Sequence, residues 1–160
     1  MRSATDVPPG CPVHTVALFL PRFPNPDMTI ASPPRILAVE DNAETRLLLQ
    51  HLLKDDFEAT IVSHVDAAVE TVADAAQDDQ RFDVLLLDIN LSDRHTGTDL
   101  LHMLRERHGM NGVPAVAMTA YAMPGDRESF LSEGFDQYVG KPFTRADLMG
   151  ALHDVLDAQP

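Results

Sequence analysis

Five short apolar runs alternate with amphipathic segments between residues 35 and 157, and this alternation constrains the fold more than any other feature of the sequence. The runs predict β-strands at residues 36–39, 59–62, 83–87, 113–118 and 137–139. The intervening segments predict helices over residues 66–76, 98–107, 126–132 and 145–156, and a first helix that starts after an Asn42 N-cap. Leu48, Leu49, Leu52 and Leu53 would form the apolar face of that first helix. Apolar strands that alternate with such helices indicate an α/β domain, with a parallel sheet covered by helices on both faces.

The first 34 residues differ from the rest in composition. They hold eight of the 12 prolines, and their two basic and two acidic residues cancel. The apolar run at 13–20 is too short for a membrane span and lacks the basic start of a secretory signal. We therefore expect a proline-rich disordered leader over residues 1–34, with Met28 as an alternative translation start, and a folded domain over residues 35–157.

The charge of the chain limits its partners. Twelve Lys and Arg residues against 25 Asp and Glu residues give a formal net charge of −13, all of which belongs to residues 35–160. This surface excludes nucleic acid and anionic membranes as direct partners, because their phosphates require basic residues. Cys11 is the single cysteine, so the chain has no internal disulfide and no Cys-based zinc site, and the seven histidines show no metal-binding spacing.

Chemically reactive side chains follow four of the five predicted strands. Glu40 and Asp41 follow the first, Asp88 the third, Thr119 the fourth and Lys141 the fifth. In open parallel sheets, ligands bind outside the carboxyl ends of the strands, where the strand order reverses. Each residue alone has an ordinary explanation as a cap, a turn or a solvated side chain. Together they predict a single site at this edge of the sheet.

The residue types at this edge suit phosphoryl transfer. Three carboxylates in one cleft repel each other unless a cation is present, and Mg²⁺ prefers such oxygen ligands. An aspartate can act as a nucleophile and form an acyl phosphate. The ammonium of Lys141 and the hydroxyl of Thr119 would supply donors for the phosphoryl oxygens.

Four motifs carry a family resemblance, and they are Val39–Asn42, Leu86–Asn90, Met118–Ala120 and Tyr138–Phe143. In this order and spacing, they resemble the receiver domain of two-component response regulators over residues 35–157. The resemblance implies a flavodoxin-like, doubly wound fold with a five-stranded parallel sheet of order 2-1-3-4-5. It also implies that the chain is a phosphoacceptor rather than an enzyme.

By this resemblance, Asp88 is the residue that takes a phosphoryl group from a histidine kinase or a histidine phosphotransfer protein. Asp41, Asp88 and the backbone carbonyl of Asn90 would hold Mg²⁺, and Glu40 would act through water.

Thr119 and Lys141 would contact the phosphoryl oxygens. The Lys141–Pro142 bond is expected to be cis, as in the family, which would direct Lys141 into the site. Tyr138 matches the aromatic residue that turns inward as Thr119 moves, so these two residues are the expected switch.

The family tunes the lifetime of its acyl phosphate at two positions, which are Asn90 and Tyr121 in this chain. We predict that the bulky Tyr121 hinders the attacking water and slows dephosphorylation.

Two departures from the family pattern affect the output. The loop of residues 91–96 lacks the usual proline, and Gly97 comes nine rather than eight positions after Asp88. This puts partner contacts at the loop in doubt. The chain also shows no output domain before Pro160, so we expect a stand-alone, cytoplasmic receiver that signals to an unknown protein by contact or by onward phosphorelay. Homodimerisation on phosphorylation through the fourth helix, fifth strand and fifth helix stays open.

Leu47 lies outside the apolar arc of the first helix. A single exposed leucine is ordinary, and we interpret Leu47 in this way. The alternative is a docking surface for a phosphodonor helix beside the site.

Three other functions match parts of this pattern. The main alternative is a Mg²⁺-dependent phosphohydrolase with an aspartate nucleophile, of the haloacid-dehalogenase type, but those enzymes need a second aspartate where this chain has Asn90. A flavin-binding module would need a phosphate-binding loop after the first strand, which is missing here. A degenerate receiver, used only for protein interaction, would not keep all five site residues.

Overall fold

The computed structural model describes residues 32–92, 94–121, 123 and 125–160. The chain divides into two units, residues 1–31 and 32–160, and all described residues belong to the second. The leader predicted for residues 1–34, with the alternative start at Met28, therefore lies outside the described residues except for positions 32–34.

Five strands and five helices alternate along the described chain, as the apolar pattern predicts. The strands are β1 (Arg35–Val39), β2 (Glu58–Val62), β3 (Val84–Asp88), β4 (Ala115–Thr119) and β5 (Gln137–Gly140). The helices are α1 (Ala43–Leu53), α2 (Val65–Gln77), α3 (Gly97–Arg107), α4 (Asp126–Ser132) and α5 (Arg145–Asp157). The predicted boundaries agree with these to within two residues.

All strand pairs are parallel, and the order is β2-β1-β3-β4-β5. This confirms the predicted sheet. Since β1 lies between β2 and β3, the strand order reverses there, and a crevice is expected outside the carboxyl ends of β1 and β3.

Successive residues of the central strands enter different cores, because side chains alternate across a sheet. Leu37 and Leu85 pack under α2 and α3, whereas Ile36, Val84 and Leu86 pack under α1 and α5. Each face of the sheet thus buries its own apolar layer. This explains why the central strands are apolar at every position except Arg35, Asp88 and Thr119 at their ends.

Local signals fix the helix starts. The side chain of Asn42 accepts a hydrogen bond from the Thr45 amide, which confirms the predicted cap of α1. Thr96 and Thr144 each form a capping box, with Asp99 and Asp147 respectively.

The predicted apolar face of α1 is partly wrong. Leu49, Leu52 and Leu53 are buried, but Leu48 is 42% exposed. The three buried leucines span about 100° of the helical wheel, which is the width of a helix stripe that a sheet covers, and Leu48 lies just beyond its edge. Leu47 is 67% exposed, in agreement with its predicted place outside the arc.

None of the helices in the described part of the chain is long and apolar enough to cross a membrane.

Candidate functional site

Three polar residues at the carboxyl ends of the strands are almost fully buried. Glu40, directly after β1, has no exposed surface, and Asp88 and Thr119, the last residues of β3 and β4, are 3% and 2% exposed. Among the described residues these are the buried polar side chains of the domain. Because burial of a carboxylate is costly unless it is paired, their partners decide what the site can do.

Lys141 provides the positive charge for two of these carboxylates. Its Nζ donates to Glu40 Oε2 at 2.5 Å and to Asp88 Oδ2 at 2.7 Å. Partial burial alone would lower the pKa of Lys141, but the hydrogen bonds and charges of Asp88 and Glu40 raise it above its usual value. Lys141 is therefore a fixed cation held against the carboxylate of Asp88.

Glu40 is held from two sides. Its Oε1 accepts the backbone N–H of Asn42 at 3.0 Å, and its Oε2 accepts from Lys141. Burial raises the pKa of Glu40 above its usual value, although the Lys141 and Asn42 hydrogen bonds act in the opposite direction.

Asp41 lies half-buried beside this pair. Its Oδ2 accepts the backbone N–H of Ser92 at 2.9 Å and also the Ser92 hydroxyl. Partial burial would raise the pKa of Asp41, but the hydrogen bonds from Ser92 outweigh it and lower the pKa. Asp41 is thus kept as a charged carboxylate.

These three carboxylates form one cluster of possible metal ligands. One oxygen from each of Glu40, Asp41 and Asp88 lies within 4.8 Å of the others. Hard oxygen donors of this kind fit Mg²⁺, which is bound through one or two carboxylates and waters. The residues present are therefore suited to the cation that the sequence predicts.

The backbone around Asp88 is fixed by close contacts. The Asn90 N–H donates to Asp88 Oδ1 at 3.0 Å, and the Gly97 N–H donates to the Ile89 carbonyl at 3.1 Å. A Cβ added to Gly97 would lie 2.2 Å from the Asp88 carbonyl oxygen. Only glycine fits there, so the longer loop keeps the glycine against the end of β3.

Thr119 ends β4, whereas Tyr138 lies inside β5, opposite Ala117 of β4, and the side chains of both have other partners. The Thr119 hydroxyl accepts the Tyr121 N–H at 3.1 Å, and Lys141 donates its own N–H to the Thr119 carbonyl at 2.7 Å. The half-buried Tyr138 ring lies 5.9 Å from that of Phe130 in α4.

Asn90 and Tyr121 each donate a backbone N–H to a predicted site residue, Asn90 to Asp88 and Tyr121 to Thr119. Asn90 is exposed, and the Tyr121 side chain is 72% exposed. The Lys141–Pro142 bond is cis, as expected. The geometry therefore joins Glu40, Asp88 and Lys141 by hydrogen bonds and brings a carboxylate oxygen of Asp41 within 4.8 Å of the other two carboxylates. The roles of all the predicted site residues stay predictions.

Two contacts were missed by sequence reasoning. Arg46 of α1 donates through Nη1 to the carbonyls of Glu40 and Asp41, at 3.0 and 2.5 Å, and so holds the end of β1. The second is the contact of Ser92 with Asp41. The periodicity of α1 places Arg46 near the sheet but does not indicate its target, and no local pattern indicates that of Ser92.

Comparison with known proteins decides the family. The family model described as response regulator receiver domain matches residues 36–153. The chain belongs to the response regulator receiver family.

Three similar proteins show the range of this receiver family. Sensor protein GacS of Pseudomonas syringae pv. syringae is 34% identical over 118 residues, which are 72% of this chain and 12% of GacS. An uncharacterised 14.6 kDa protein of Leptolyngbya boryana is 32% identical over 125 residues, covering 78% of this chain and 92% of that protein. The receiver domain of sensor histidine kinase PA1611 from Pseudomonas aeruginosa PAO1 has a TM-score of 0.63 and 30% identity, covering 79% of this chain and all of that one.

The chain spans about one-eighth of the length of GacS but nearly all of the 14.6 kDa protein. The PA1611 structure is described with a magnesium ion coordinated in its active site cleft. The protein is thus a receiver domain of two-component signalling, homologous to the receiver domains of histidine kinases.

Proposed function

We propose that Asp88 accepts a phosphoryl group from a phosphohistidine of a histidine kinase or histidine phosphotransfer protein. The observation that carries this proposal is the ammonium of Lys141, 2.7 Å from a carboxylate oxygen of Asp88 within a buried acidic cluster. A cation in this position can stabilise the charge of a phosphoryl group arriving at the carboxylate.

In the proposed reaction, a carboxylate oxygen of Asp88 attacks phosphorus as the phosphorus–nitrogen bond of the phosphohistidine breaks. The electron pair of that bond stays on the imidazole, and an acyl phosphate is formed. The Asn90 N–H and Lys141 orient the carboxylate before attack. The ammonium of Lys141 then pairs with the new negative charge on the phosphoryl oxygens.

Glu40, Asp41, Asp88 and the Asn90 carbonyl are the proposed holders of Mg²⁺. When bound, the ion would neutralise the carboxylates and the phosphoryl oxygens. The donor set supports this, because three carboxylate oxygens lie within 4.8 Å of one another.

Thr119 and Tyr138 are the proposed switch. The Thr119 hydroxyl is bonded to the backbone of Tyr121, so contact with a phosphoryl oxygen would release this part of the β4–α4 loop. Tyr138 packs against Phe130 of α4, and its ring would turn inward as the loop moves. The signal would therefore reach the face formed by α4, β5 and α5.

The output is proposed to be protein contact or onward phosphorelay, by a stand-alone, cytoplasmic receiver with an unknown protein partner. Dimerisation through α4, β5 and α5 is one form that this contact can take.

The proposal is tested by incubating the full chain with acetyl phosphate and Mg²⁺ and measuring its intact mass. We expect the mass of one labile phosphoryl group, which is lost in Asp88→Asn. Asp66→Asn is the matched control, because Asp66 is an exposed aspartate near the same edge of the sheet. Modification of Asp88→Asn would contradict the assignment, and rapid multiple turnover of phosphate would support the phosphohydrolase alternative instead.

A further inference from the structure

The loop between β3 and α3 contacts the acidic cluster through Ser92. Both hydrogen-bond donors of this residue, the backbone N–H and the side-chain hydroxyl, reach the same oxygen, Asp41 Oδ2. The two residues are 51 positions apart in the sequence. A proline, which this loop lacks, would offer neither donor.

Two donors on one oxygen restrict how the Asp41 carboxylate can turn. Asp41 is only half-buried, so without these bonds its side chain could rotate into solvent and lose its place beside Glu40 and Asp88. Carboxylates that bind metals are usually oriented by such hydrogen bonds, and loss of the supporting residue weakens metal binding about 10- to 100-fold.

We propose that Ser92 is a positioning residue that orients Asp41 for a divalent cation. The proposal rests on the cation site of the proposed function. It assigns to this loop a part in cation affinity, in addition to any contact with partners.

Ser63 provides a matched comparison. It lines the same open cavity of about 400 Å³ as Asp41 and Ser92, on the side formed by the end of β2. Its hydroxyl bonds to His64 Nδ1 at 2.8 Å rather than to a carboxylate of the cluster. Removing the Ser63 hydroxyl therefore changes the cavity wall without changing the support of Asp41.

The experiment is a titration of the full chain with MgCl₂, followed by amide NMR. The amides of Asn42 and Asn90 are suitable reporters, because they donate to the carboxylates of Glu40 and Asp88. We expect Ser92→Ala to raise the Kd for Mg²⁺ about threefold to tenfold, less than the full loss of a supporting residue, because its backbone N–H remains. The Kd for Mg²⁺ of Ser92→Thr, which keeps the hydroxyl, and that of Ser63→Ala should stay within about twofold of the wild-type value.

Each outcome bears on the proposal. An increase in Kd below threefold, or tighter binding, in Ser92→Ala would show that Ser92 does not position Asp41, while Mg²⁺ binding by the wild type would leave the proposed function standing. Equal losses in Ser92→Ala and Ser92→Thr would assign the effect to loop shape and overturn the role of the hydroxyl. No Mg²⁺ binding by the wild type would remove the cation site itself, and with it this inference.

Discussion

Lys141→Met should destabilise the fold because it removes the cation of the site while keeping a side chain of similar length. In the wild type, Nζ of Lys141 lies 2.5 Å from Glu40 Oε2 and 2.7 Å from Asp88 Oδ2. In the variant, backbone N–H groups at Asn42 and Asn90 still donate to these two buried carboxylates. The lost ion pairs have no replacement among the residues that the structure describes.

The magnitude follows from the burial of the three groups. Removing one partner of a fully buried ion pair costs about 3–5 kcal/mol. The Lys141 side chain is 20% exposed, so water can partly replace it. We therefore expect the free energy of unfolding to fall by about 2–3 kcal/mol at neutral pH, a discounted value for a partly hydrated pair.

The pH dependence of this loss has a definite sign. Burial already raises the pKa of Glu40 above its usual 4.5, and Lys141 opposes this, so removing Lys141 raises that pKa further. A carboxyl group whose pKa is raised in the folded state contributes most to the stability of the fold below its unfolded pKa. This contribution is lost as pH rises from the unfolded pKa through the folded one. The pKa of Lys141 is raised above its usual 10.5, so Lys141 keeps its charge at any pH below that value. The variant should therefore be least impaired in acid and most impaired above neutrality.

Urea unfolding followed by far-UV circular dichroism measures this effect, since the chain has no tryptophan. The wild type and Lys141→Met are compared at about pH 5 and about pH 8, because the loss of stability should grow as pH rises above the usual pKa of Glu40. Lys54→Met is the control, because Lys54 is the other lysine of the chain and is exposed at the end of α1. Equal stability of Lys141→Met and wild type at the higher pH, or a loss that does not vary with pH, would refute the reasoning.

Three further predictions concern the loop, the lifetime of the acyl phosphate and docking. Gly97→Ala should lower the free energy of unfolding by about 2–3 kcal/mol, because the added Cβ would overlap the Asp88 carbonyl. Gly150→Ala, which has open space around it in α5, should be neutral or stabilising in the same urea assay. Equal effects of the two changes would contradict this. Tyr121→Glu should shorten the half-life of the acyl phosphate, and an unchanged half-life would show that the tyrosine does not hinder water. If Leu47 belongs to a docking surface, Leu47→Ala should slow transfer from a histidine phosphotransfer protein but not from acetyl phosphate; an unchanged rate with both donors would confirm that it is an ordinary exposed leucine.

The fold was predictable because its determinants are local. Residues such as Ile36 and Leu37 enter opposite cores, so successive positions inside a central strand must both be apolar, and that requirement is visible in the sequence. The placement of Glu40 and Asp88 followed from the same rule, since residues that end neighbouring parallel strands lie at one edge. Leu48 was wrongly predicted to lie on the buried face of α1, because its burial depends on how wide a stripe of the helix the sheet covers.

Contacts within the site were less predictable, because they depend on the paths of loops. The motifs place Lys141 near the acidic residues, but its pairing with both Glu40 and Asp88 depends on where β5 meets β4. The Ser92–Asp41 contact joins a loop to the end of β1, and nothing in either segment alone specifies it.

The late position of Lys141 also matters while the chain is being synthesised. Lys141 comes 53 residues after Asp88, so at a usual rate of translation the ribosome adds it about 3–10 s later. Through that interval the nascent chain holds Glu40, Asp41 and Asp88 without their internal cation, and β4, once it has been added, still lacks β5 at its edge. Under the proposed function, a chain that does not yet contain Lys141 is a poor acceptor of phosphoryl groups.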